Sequence, residues 1–402
     1  MISDSQLRVS VATSVQHRFR IVGAGPTGAL LALGLAQQGF DVLLCDRLTR
    51  DQILQRSRAY AITQSSRRLL QRLDLWDELS AHLTPFRSLR LEDCAIRRST
   101  WFTLSDLRAA NRPSNAIGWI LDHRPLMHLL MTQLGLSERV SLHLGEGAAT
   151  DSDFVSSNRQ ALTIAADGPH SSLRTAADVP FWSHRYRQGC LTAKLRLEGA
   201  DQGCAYELFR PEGPMAVLPL GGDCFQVVWS APLRRCQERA VLSPDALLTA
   251  LNAILPPSVN AVELLDEPGA FPLELSLAPR LHHGSLLLVG EAGHRCHPVG
   301  GQGLNLCWRD VGDLLDLTDE LRTGSVSPQS LPRRYSRRRN LDLTSVLLST
   351  DLLIRFFSNR HPLLLPLRHG ALLLLDRCSW LRRLSLSAMS DGPGSVLTPL
   401  PQ

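Results

Sequence analysis

Lysine is nearly absent from this chain of 402 residues: Lys194 is the only one, and the other 42 of the 43 basic side chains are arginine. Aromatic residues make up only 5% of the sequence. No basic stripe interleaved with aromatic residues is present, so we predict no nucleic-acid partner. Arginine does suit fixed contacts to phosphate groups better than lysine.

Cysteine is also sparse, because the nine cysteines form no CxxC pair and are spread along the whole chain. This usage predicts reduced thiols in a cytoplasmic protein and excludes a disulfide scaffold or a structural zinc. His294 and His297 flank Cys296, but no further ligand has a suitable spacing, so no metal site is predicted.

Long hydrophobic runs of the membrane-spanning kind are missing too. Residues 21–40 carry no charge, but glycines and a proline break this run close to its start. Residues 1–17 are polar and lack the apolar core and cleavage site of a secretory signal. We therefore expect a cytoplasmic protein that is either free or bound peripherally to a membrane.

The chain is long enough for two or three domains with a sizeable core. Between Arg18 and Asp46 a strand, a glycine-rich turn, a helix and a second strand follow one another, which is typical of a βαβ unit in a parallel sheet. Amphipathic patterns predict helices over Ser65–Leu79 and Pro125–Leu134. From Cys190 to Ser230 the pattern changes to that of antiparallel strands.

A second parallel strand is predicted over Leu286–Val289, and a helix over Ser243–Leu255 with Pro244 in its first turn. Everything after Asn305 has a helical pattern. We therefore predict interleaved domains: 18–180 for the nucleotide-binding part, with some of the substrate layer near 85–120, then 181–280 for an antiparallel substrate sheet. Residues 281–330 return to the first domain, and 331–402 form a helical region.

The first motif is Gly23-x-Gly25-x-x-Gly28, with Asp46 eighteen residues after its last glycine. Glycines at this spacing permit a tight turn and let the backbone approach a pyrophosphate at the positive end of a helix. An acid at the end of the second strand accepts a hydrogen bond from a ribose hydroxyl. The motif predicts dinucleotide binding but does not distinguish FAD from NAD; a glycine turn that serves only packing is the alternative.

Two later segments decide between these cofactors. Residues 166–174 read ADGPHSSLR, and residues 288–305 read LVGEAGHRCHPVGGQGLN. In this order and spacing they resemble the second and third motifs of the single-Rossmann flavoprotein monooxygenases. The resemblance narrows to the ubiquinone-biosynthesis hydroxylases of the UbiH type, on RAYAI at 58–62, YELF at 206–209 and GPMAVLPL at 213–220. It covers roughly residues 18 to 390, and Glu291 stands where the family usually has aspartate.

The resemblance implies an α/β fold: a Rossmann-like FAD-binding domain with an interleaved antiparallel-sheet substrate domain and C-terminal helices. It implies FAD as the bound cofactor and NAD(P)H as a transient reductant. The residues that it places on FAD are Gly23, Ala24, Gly25, Pro26, Thr27, Gly28, Asp46, Arg47, Arg58, Arg124, Asp167, Gly168, Glu291, Pro298, Gly300, Gly301, Gly303, Leu304 and Asn305.

The function implied is a monooxygenase that hydroxylates the aromatic ring of a polyprenylated phenol or quinone precursor with O₂. Two alternatives stay open: a hydroxylase of a small soluble aromatic, and a non-catalytic flavin-binding component of a quinone-synthesis complex. No catalytic acid or base is predicted, because the cofactor supplies the reactivity. Tyr206 and Glu207 fit a substrate sheet and an exposed strand equally well.

The C-terminal region supplies the prediction of membrane contact. Between residues 331 and 386 it carries eleven arginines against three aspartates, together with many leucines. Basic, leucine-rich helices are often interfacial elements. A packed helical cap is an equally good interpretation, and the two are compatible because a polyprenylated phenol has to be collected from a membrane.

Overall fold

The structure is a computed structural model that describes residues 18–145 and 162–394. Three segments lie outside these ranges: 1–17, 146–161 and 395–402. In chain order, the strands are β1 (Arg18–Val22), β2 (Asp41–Asp46), β3 (Ala59–Ile62), β4 (Leu83–Phe86), β5 (Ser88–Asp93), β6 (Arg98–Thr103), β7 (Gly118–Asp122), β8 (Val140–Leu144), β9 (Leu162–Ala165), β10 (Trp182–Glu198), β11 (Cys204–Phe209), β12 (Met215–Gly221), β13 (Cys224–Pro232), β14 (Asn260–Leu264), β15 (Gly269–Leu277), β16 (His282–His283), β17 (Leu286–Leu288) and β18 (His294–Arg295).

The helices alternate with these strands in the first part of the chain and follow one another at its end. They are α1 (Pro26–Gln37), α2 (Arg50–Leu54), α3 (Gln64–Arg72), α4 (Trp76–Leu79), α5 (His123–Leu136), α6 (Ser172–Ala176), α7 (Leu233–Ala240), α8 (Pro244–Asn252), α9 (Gln302–Arg322), α10 (Leu331–Phe357), α11 (Leu364–Arg377) and α12 (Ser379–Asp391).

The predicted βαβ unit is confirmed as the centre of a sheet with the order β16-β17-β9-β1-β2-β8. Every pair of neighbouring strands in this sheet is parallel except β16 and β17, which are antiparallel. Ile21, Leu44 and Ile164 are fully buried in its middle strands. Strands of a parallel sheet are covered on both faces and therefore read as near-continuous apolar runs, which is why the sequence identified them.

The second large sheet has the order β18-β15-β10-β13-β12-β11-β5-β6, with β14 also paired to β10. The antiparallel strands predicted from Cys190 to Ser230 are confirmed as β10 to β13. The pair β11 and β5 is parallel, and β5 and β6 come from the first quarter of the chain. The two sheets are therefore interleaved in sequence, while the domain boundaries given above stay a prediction.

The single helix predicted over Ser65–Leu79 is wrong, because the structure has two helices there, α3 and α4. Asp74 has a left-handed backbone (φ 56°). Its N–H donates to the Gln71 carbonyl, and the Leu75 N–H donates to the Leu70 carbonyl. This pair of bonds is the Schellman motif that ends helices, and aspartate is one of the few non-glycine residues that adopt its left-handed position.

Within the described ranges, no helix has the length and apolarity needed to cross a bilayer. The C-terminal helices instead pack on the rest of the protein. Tyr335 and Leu343 of α10 are fully buried in the core beside α9, and Arg368 of α11 forms a buried bidentate ion pair with Asp93 of β5.

Candidate active site

The glycine-rich turn joins the end of β1 to the start of α1. A Cβ atom on Gly23 (φ +108°) would lie 2.2 Å from the Ala166 carbonyl oxygen, and one on Gly28 would lie 1.8 Å from the Gly23 carbonyl oxygen. The chain's own packing therefore requires these two glycines. Gly25 is different, because a Cβ there would meet nothing within 4 Å and its φ of −69° suits any residue. Open space at the N-terminus of α1 is the place for a bound pyrophosphate.

Asp46 ends β2 beside this turn, as predicted. Its Oδ2 accepts a hydrogen bond from the Ala24 N–H at 2.7 Å, and its Oδ1 accepts one from the Leu48 N–H at 2.8 Å. A carboxylate oxygen has a second lone pair, so both oxygens can still accept from a ribose hydroxyl. Arg47, next in the chain, is exposed to solvent.

The second motif follows β9, the neighbour of β1 in the parallel sheet. The Oδ2 of Asp167 accepts from the Ser172 N–H at 2.8 Å, whereas its Oδ1 is buried without a protein partner. Gly168 has a left-handed backbone (φ +85°). Arg174 donates to the Ala292 carbonyl at 2.8 Å and so ties this motif to the third one.

The third motif brings Glu291 to the edge of a cavity of about 220 Å³. One wall of this cavity is the turn from Pro298 to Leu304. A second wall is the cavity-facing side of the second large sheet, which has nine strands and contributes Ala205, Glu207 and Phe209 of β11. Leu353 of α10 and Leu386 and Met389 of α12 close a third side.

Gly300 and Gly301 turn the chain into α9 with left-handed backbones (φ +70° and +62°). Asn305 holds this turn against β3. Its Nδ2 donates to the carbonyl oxygens of Ala61 at 2.7 Å and Gly301 at 2.8 Å, and its Oδ1 accepts from the Thr63 N–H at 3.0 Å. Asn305 is fully buried and does not line the cavity, so its visible role is to position the turn.

Arg58 and Arg124 lie side by side, because the His123 N–H donates to the Arg58 carbonyl where β3 pairs with β7. Both arginines are exposed, and Arg58 lines the mouth of the cavity. The Tyr60 hydroxyl lies 2.9 Å from Nδ1 of His123, whose Nε2 lies 2.8 Å from the Ile53 carbonyl. Since that carbonyl can only accept, Nε2 carries the proton and Tyr60 donates to Nδ1.

The sequence reasoning missed a buried ionic network behind Glu291. The Oδ2 of Asp310 accepts from the Gly290 N–H and from Nε2 of His294, both at 2.7 Å, and Arg339 donates to its Oδ1 at 2.6 Å. Burial alone would raise the pKa of Asp310, but the charges of His294 and Arg339 outweigh burial and lower it to about 2. The sequence does contain one sign of this network, because Asp310 is an aspartate on the leucine-rich buried face of α9.

His294 and His297 of the third motif do not line the cavity. His294 faces Asp310, and His297 is buried behind the turn, where its Nδ1 accepts from the Val299 N–H at 3.2 Å. Burial lowers the pKa of His297 to about 3, so its imidazole is neutral. In the described parts of the chain, no three His, Cys, Asp or Glu side chains are grouped to hold a metal ion.

Comparison with known proteins identifies the cofactor of this site. A family model described as an FAD binding domain matches residues 17–96 and 151–347, more than half of the chain. The chain belongs to this FAD-binding family. It is an FAD-dependent monooxygenase, and NAD(P)H is the reductant typical of the family.

Two curated relatives match this monooxygenase over most of its length. The 3-demethoxyubiquinol 3-hydroxylase of Escherichia coli is 30% identical and covers 93% of this chain and 98% of that protein. The ubiquinone hydroxylase UbiL of Rhodospirillum rubrum is also 30% identical, over 84% of this chain and 81% of that protein. The solved structure of Klebsiella pneumoniae HpxO with FAD and uric acid has a TM-score of 0.70 at 19% identity, covering 94% of this chain and 97% of that chain, and shows the fold.

The residues of this monooxygenase fit FAD on three independent observations. Gly25 leaves open space where a pyrophosphate would lie, Asp167 has a buried oxygen that lacks a protein partner, and the turn at Gly300 faces a cavity beside Glu291. Glu207, which could equally have been an exposed strand residue on sequence grounds, lies in the same cavity and is only 9% exposed.

Proposed function

We propose that this monooxygenase hydroxylates the aromatic ring of a polyprenylated quinone precursor, with NAD(P)H as the reductant. When bound, FAD supplies the reduced flavin that activates O₂ for transfer to the ring. The chain's own residues bind and orient the ring and exclude water. The names of the two bacterial relatives support a ubiquinone precursor as the substrate class.

We propose that the cofactor-binding residues are those predicted from the sequence, except that Asn305 acts through the turn that it positions. Gly25 and the N-terminus of α1 would hold the pyrophosphate, and Asp46 would accept from the adenosine ribose. Arg58 lines the cavity, and Arg124 is exposed on the neighbouring strand end; both would suit the adenosine phosphates. Glu291 and the turn from Pro298 to Leu304 would face the ribityl chain and the flavin ring.

The observation that carries the substrate assignment is the cavity wall formed by the nine-stranded sheet. It is mostly apolar, with Leu89, Leu91, Phe209, Leu218 and Leu273 among its residues. Its third side contains Leu353, which is itself 38% exposed on α10. Apolar side chains on the sheet and on the C-terminal helices suit a ring that carries a long prenyl tail.

The same helices present an unusual surface, which we define as the leucine face. Its members are large apolar side chains that are more than a third exposed: Leu341, Leu348, Leu352, Leu353, Leu363, Leu367, Leu374, Trp380 and Leu384. Exposed arginines lie among them, including Arg355, Arg360, Arg377 and Arg383. We propose that the leucine face rests on an anionic bilayer, since such a surface offers both apolar depth and negative charge. A quinone-synthesis complex is the further proposed partner.

We expect this monooxygenase to oxidise NAD(P)H faster with a long-chain prenylphenol in anionic vesicles than with a water-soluble short-chain phenol. Replacing both Leu363 and Trp380 by Ser should lower vesicle binding and activity on this substrate roughly tenfold, because about 1.4 kcal/mol of apolar burial is lost. The activity of this double variant on a water-soluble short-chain phenol should not change.

Two outcomes would favour the alternative functions. Equal activity of the parent on both phenols would favour a hydroxylase of a small soluble aromatic. No stimulation of NAD(P)H oxidation by any phenol would favour the non-catalytic flavin-binding component.

Glu291 yields a second prediction, because it is one methylene longer than the aspartate usual in the family. If its carboxylate accepts from the ribityl chain, Glu291→Ala should weaken FAD binding by about 1–3 kcal/mol. Glu291→Asp should bind FAD as tightly as the parent or more tightly. Fluorescence titration of FAD measures both, and an alanine variant with parental affinity would show that Glu291 is not a ligand.

A further inference from the structure

Glu207 is the carboxylate that the nine-stranded sheet presents to the cavity. It lies on β11 opposite Leu91 of β5 and Ala216 of β12, both of which also line the cavity. Its Oε2 accepts a hydrogen bond from the Gly300 N–H at 3.4 Å, which places it against the turn that would face the flavin. Glu207 therefore lies between the proposed flavin site and the apolar substrate wall.

The surroundings of Glu207 are unusual for a carboxylate. It is nearly fully buried, and no arginine, lysine or histidine of the described residues forms an ion pair with it. Burial raises the pKa of Glu207 to about 7, against a smaller opposite effect of the Gly300 N–H. A buried acid without a counter-ion costs stability, and an acid with a raised pKa in a cavity is typical of a functional site.

The other titratable groups of the cavity are poorer proton acceptors. Tyr60 already donates to His123, and burial raises its pKa to about 12. Burial also raises the pKa of Cys296 to about 12. The guanidinium groups of Arg58 and Arg295 offer only hydrogen-bond donors. The Tyr206 hydroxyl accepts from the Asp201 N–H, and Glu291 lies on the side of the Pro298–Leu304 turn.

We propose that Glu207 is a catalytic residue that accepts the proton of the substrate's phenolic hydroxyl. The inference rests on the proposed function, since it needs a phenol in the cavity. The phenolic O–H bond breaks, its electron pair stays on the oxygen, and the proton forms an O–H bond to a carboxylate oxygen of Glu207. The ring becomes more electron-rich for attack on an electrophilic oxygen, and the proton returns to solvent after product release.

The test uses the FAD-loaded protein and 4-nitrophenol, whose phenolate absorbs visible light and whose acidity lies near neutral pH. At pH 7, close to the pKa of both Glu207 and the free probe, we expect the parent to bind 4-nitrophenol with a stronger phenolate band than the free probe shows. No net proton should reach an indicator dye, because the bound pair holds one proton and that proton is on Glu207. Glu207→Gln, which is nearly isosteric, should bind the probe as the neutral phenol and lose at least four-fifths of the band. Its FAD affinity should stay within a factor of two.

Turnover of a prenylphenol gives the second measurement. Glu207→Gln should lower kcat by a factor of about 100 or more and remove the acid limb of the pH profile, because a general base must be ionised to act. Glu207→Asp should retain part of kcat and keep the limb. The matched control is Glu92→Gln on β5, the same chemical change at a position that does not line the cavity.

The outcomes separate this inference from the proposed function. Full kcat in Glu207→Gln would overturn the role of Glu207 and leave the hydroxylase proposal intact. Reduced kcat with an unchanged phenolate band, or with weakened FAD binding, would assign Glu207 to positioning the Gly300 turn and would also overturn the inference. A parent that neither binds 4-nitrophenol nor turns over any phenol would contradict both proposals.

Discussion

Replacing Gly25 by Val should give a folded but colourless protein. The valine side chain would enter the open space at the N-terminus of α1, where no protein atom lies within 4 Å of a Cβ. A pyrophosphate in that space would collide with it, so we expect FAD affinity to fall by roughly 100-fold or more, about 3 kcal/mol. The flavin spectrum of the purified protein and titration with added FAD measure the loss.

Two sets of variants control this prediction. Gly135→Val places the same side chain at another open, exposed glycine, in α5, and should leave both FAD binding and the melting temperature nearly unchanged. Gly23→Ala and Gly28→Ala should unfold the protein, because their Cβ atoms would overlap backbone oxygens at 2.2 and 1.8 Å. A yellow Gly25→Val protein with parental affinity would contradict the pyrophosphate site.

The sequence predicted those parts of the site that are encoded by neighbours in the chain. The turn at Gly23–Gly28 and the position of Asp46 follow from a strand, a turn and a helix that adjoin one another. The antiparallel strands β10 to β13 were likewise predictable from alternation and turn residues. Each of these features depends on local backbone chemistry, and a short window of sequence contains all of it.

Glu207 could not be placed in this way, because all six residues of β11 are buried. One face of the strand packs into a hydrophobic core with Cys204 and Leu208, while Ala205, Glu207 and Phe209 on the other face line the cavity. Alternation distinguishes a buried face from a solvated one, but it cannot distinguish a core from an internal cavity. Only the pairing of β11 with β5, more than a hundred residues earlier in the chain, shows where Glu207 points.

The network around Asp310 was missed for a related reason. Asp310 lies on α9 and Arg339 on α10, and their ion pair exists only because these two helices pack together. Read alone, each residue is one charge in a helix with many charges. What marks them is burial, since Asp310 is 0% and Arg339 only 2% exposed.

Because of this burial we expect Arg339→Met to lower the stability of the protein strongly. It leaves Asp310 and the partly buried Asp342 without the guanidinium that now lies 2.6 and 2.8 Å from their oxygens. Removing one partner of a buried ion pair typically costs about 3–5 kcal/mol in the free energy of unfolding. Arg338→Met is the matched control: Arg338 is 41% exposed, so its pairs with Asp313 and Asp316 should contribute less than about 1 kcal/mol.

The pH dependence of this loss identifies the group responsible. In the parent the pKa of Asp310 is lowered from 3.8 to about 2, so its ionised form contributes stability above pH 4 that is lost as the pH falls through 2. Without Arg339 the pKa of Asp310 rises. The difference between variant and parent in the free energy of unfolding should therefore be smaller near pH 4 than at pH 7. Urea unfolding at both pH values measures the difference. A constant difference would mean that lost packing of the arginine stem is responsible, whereas the expected convergence would show that the ionised carboxylate of Asp310, which accepts from the Gly290 N–H next to Glu291, is responsible.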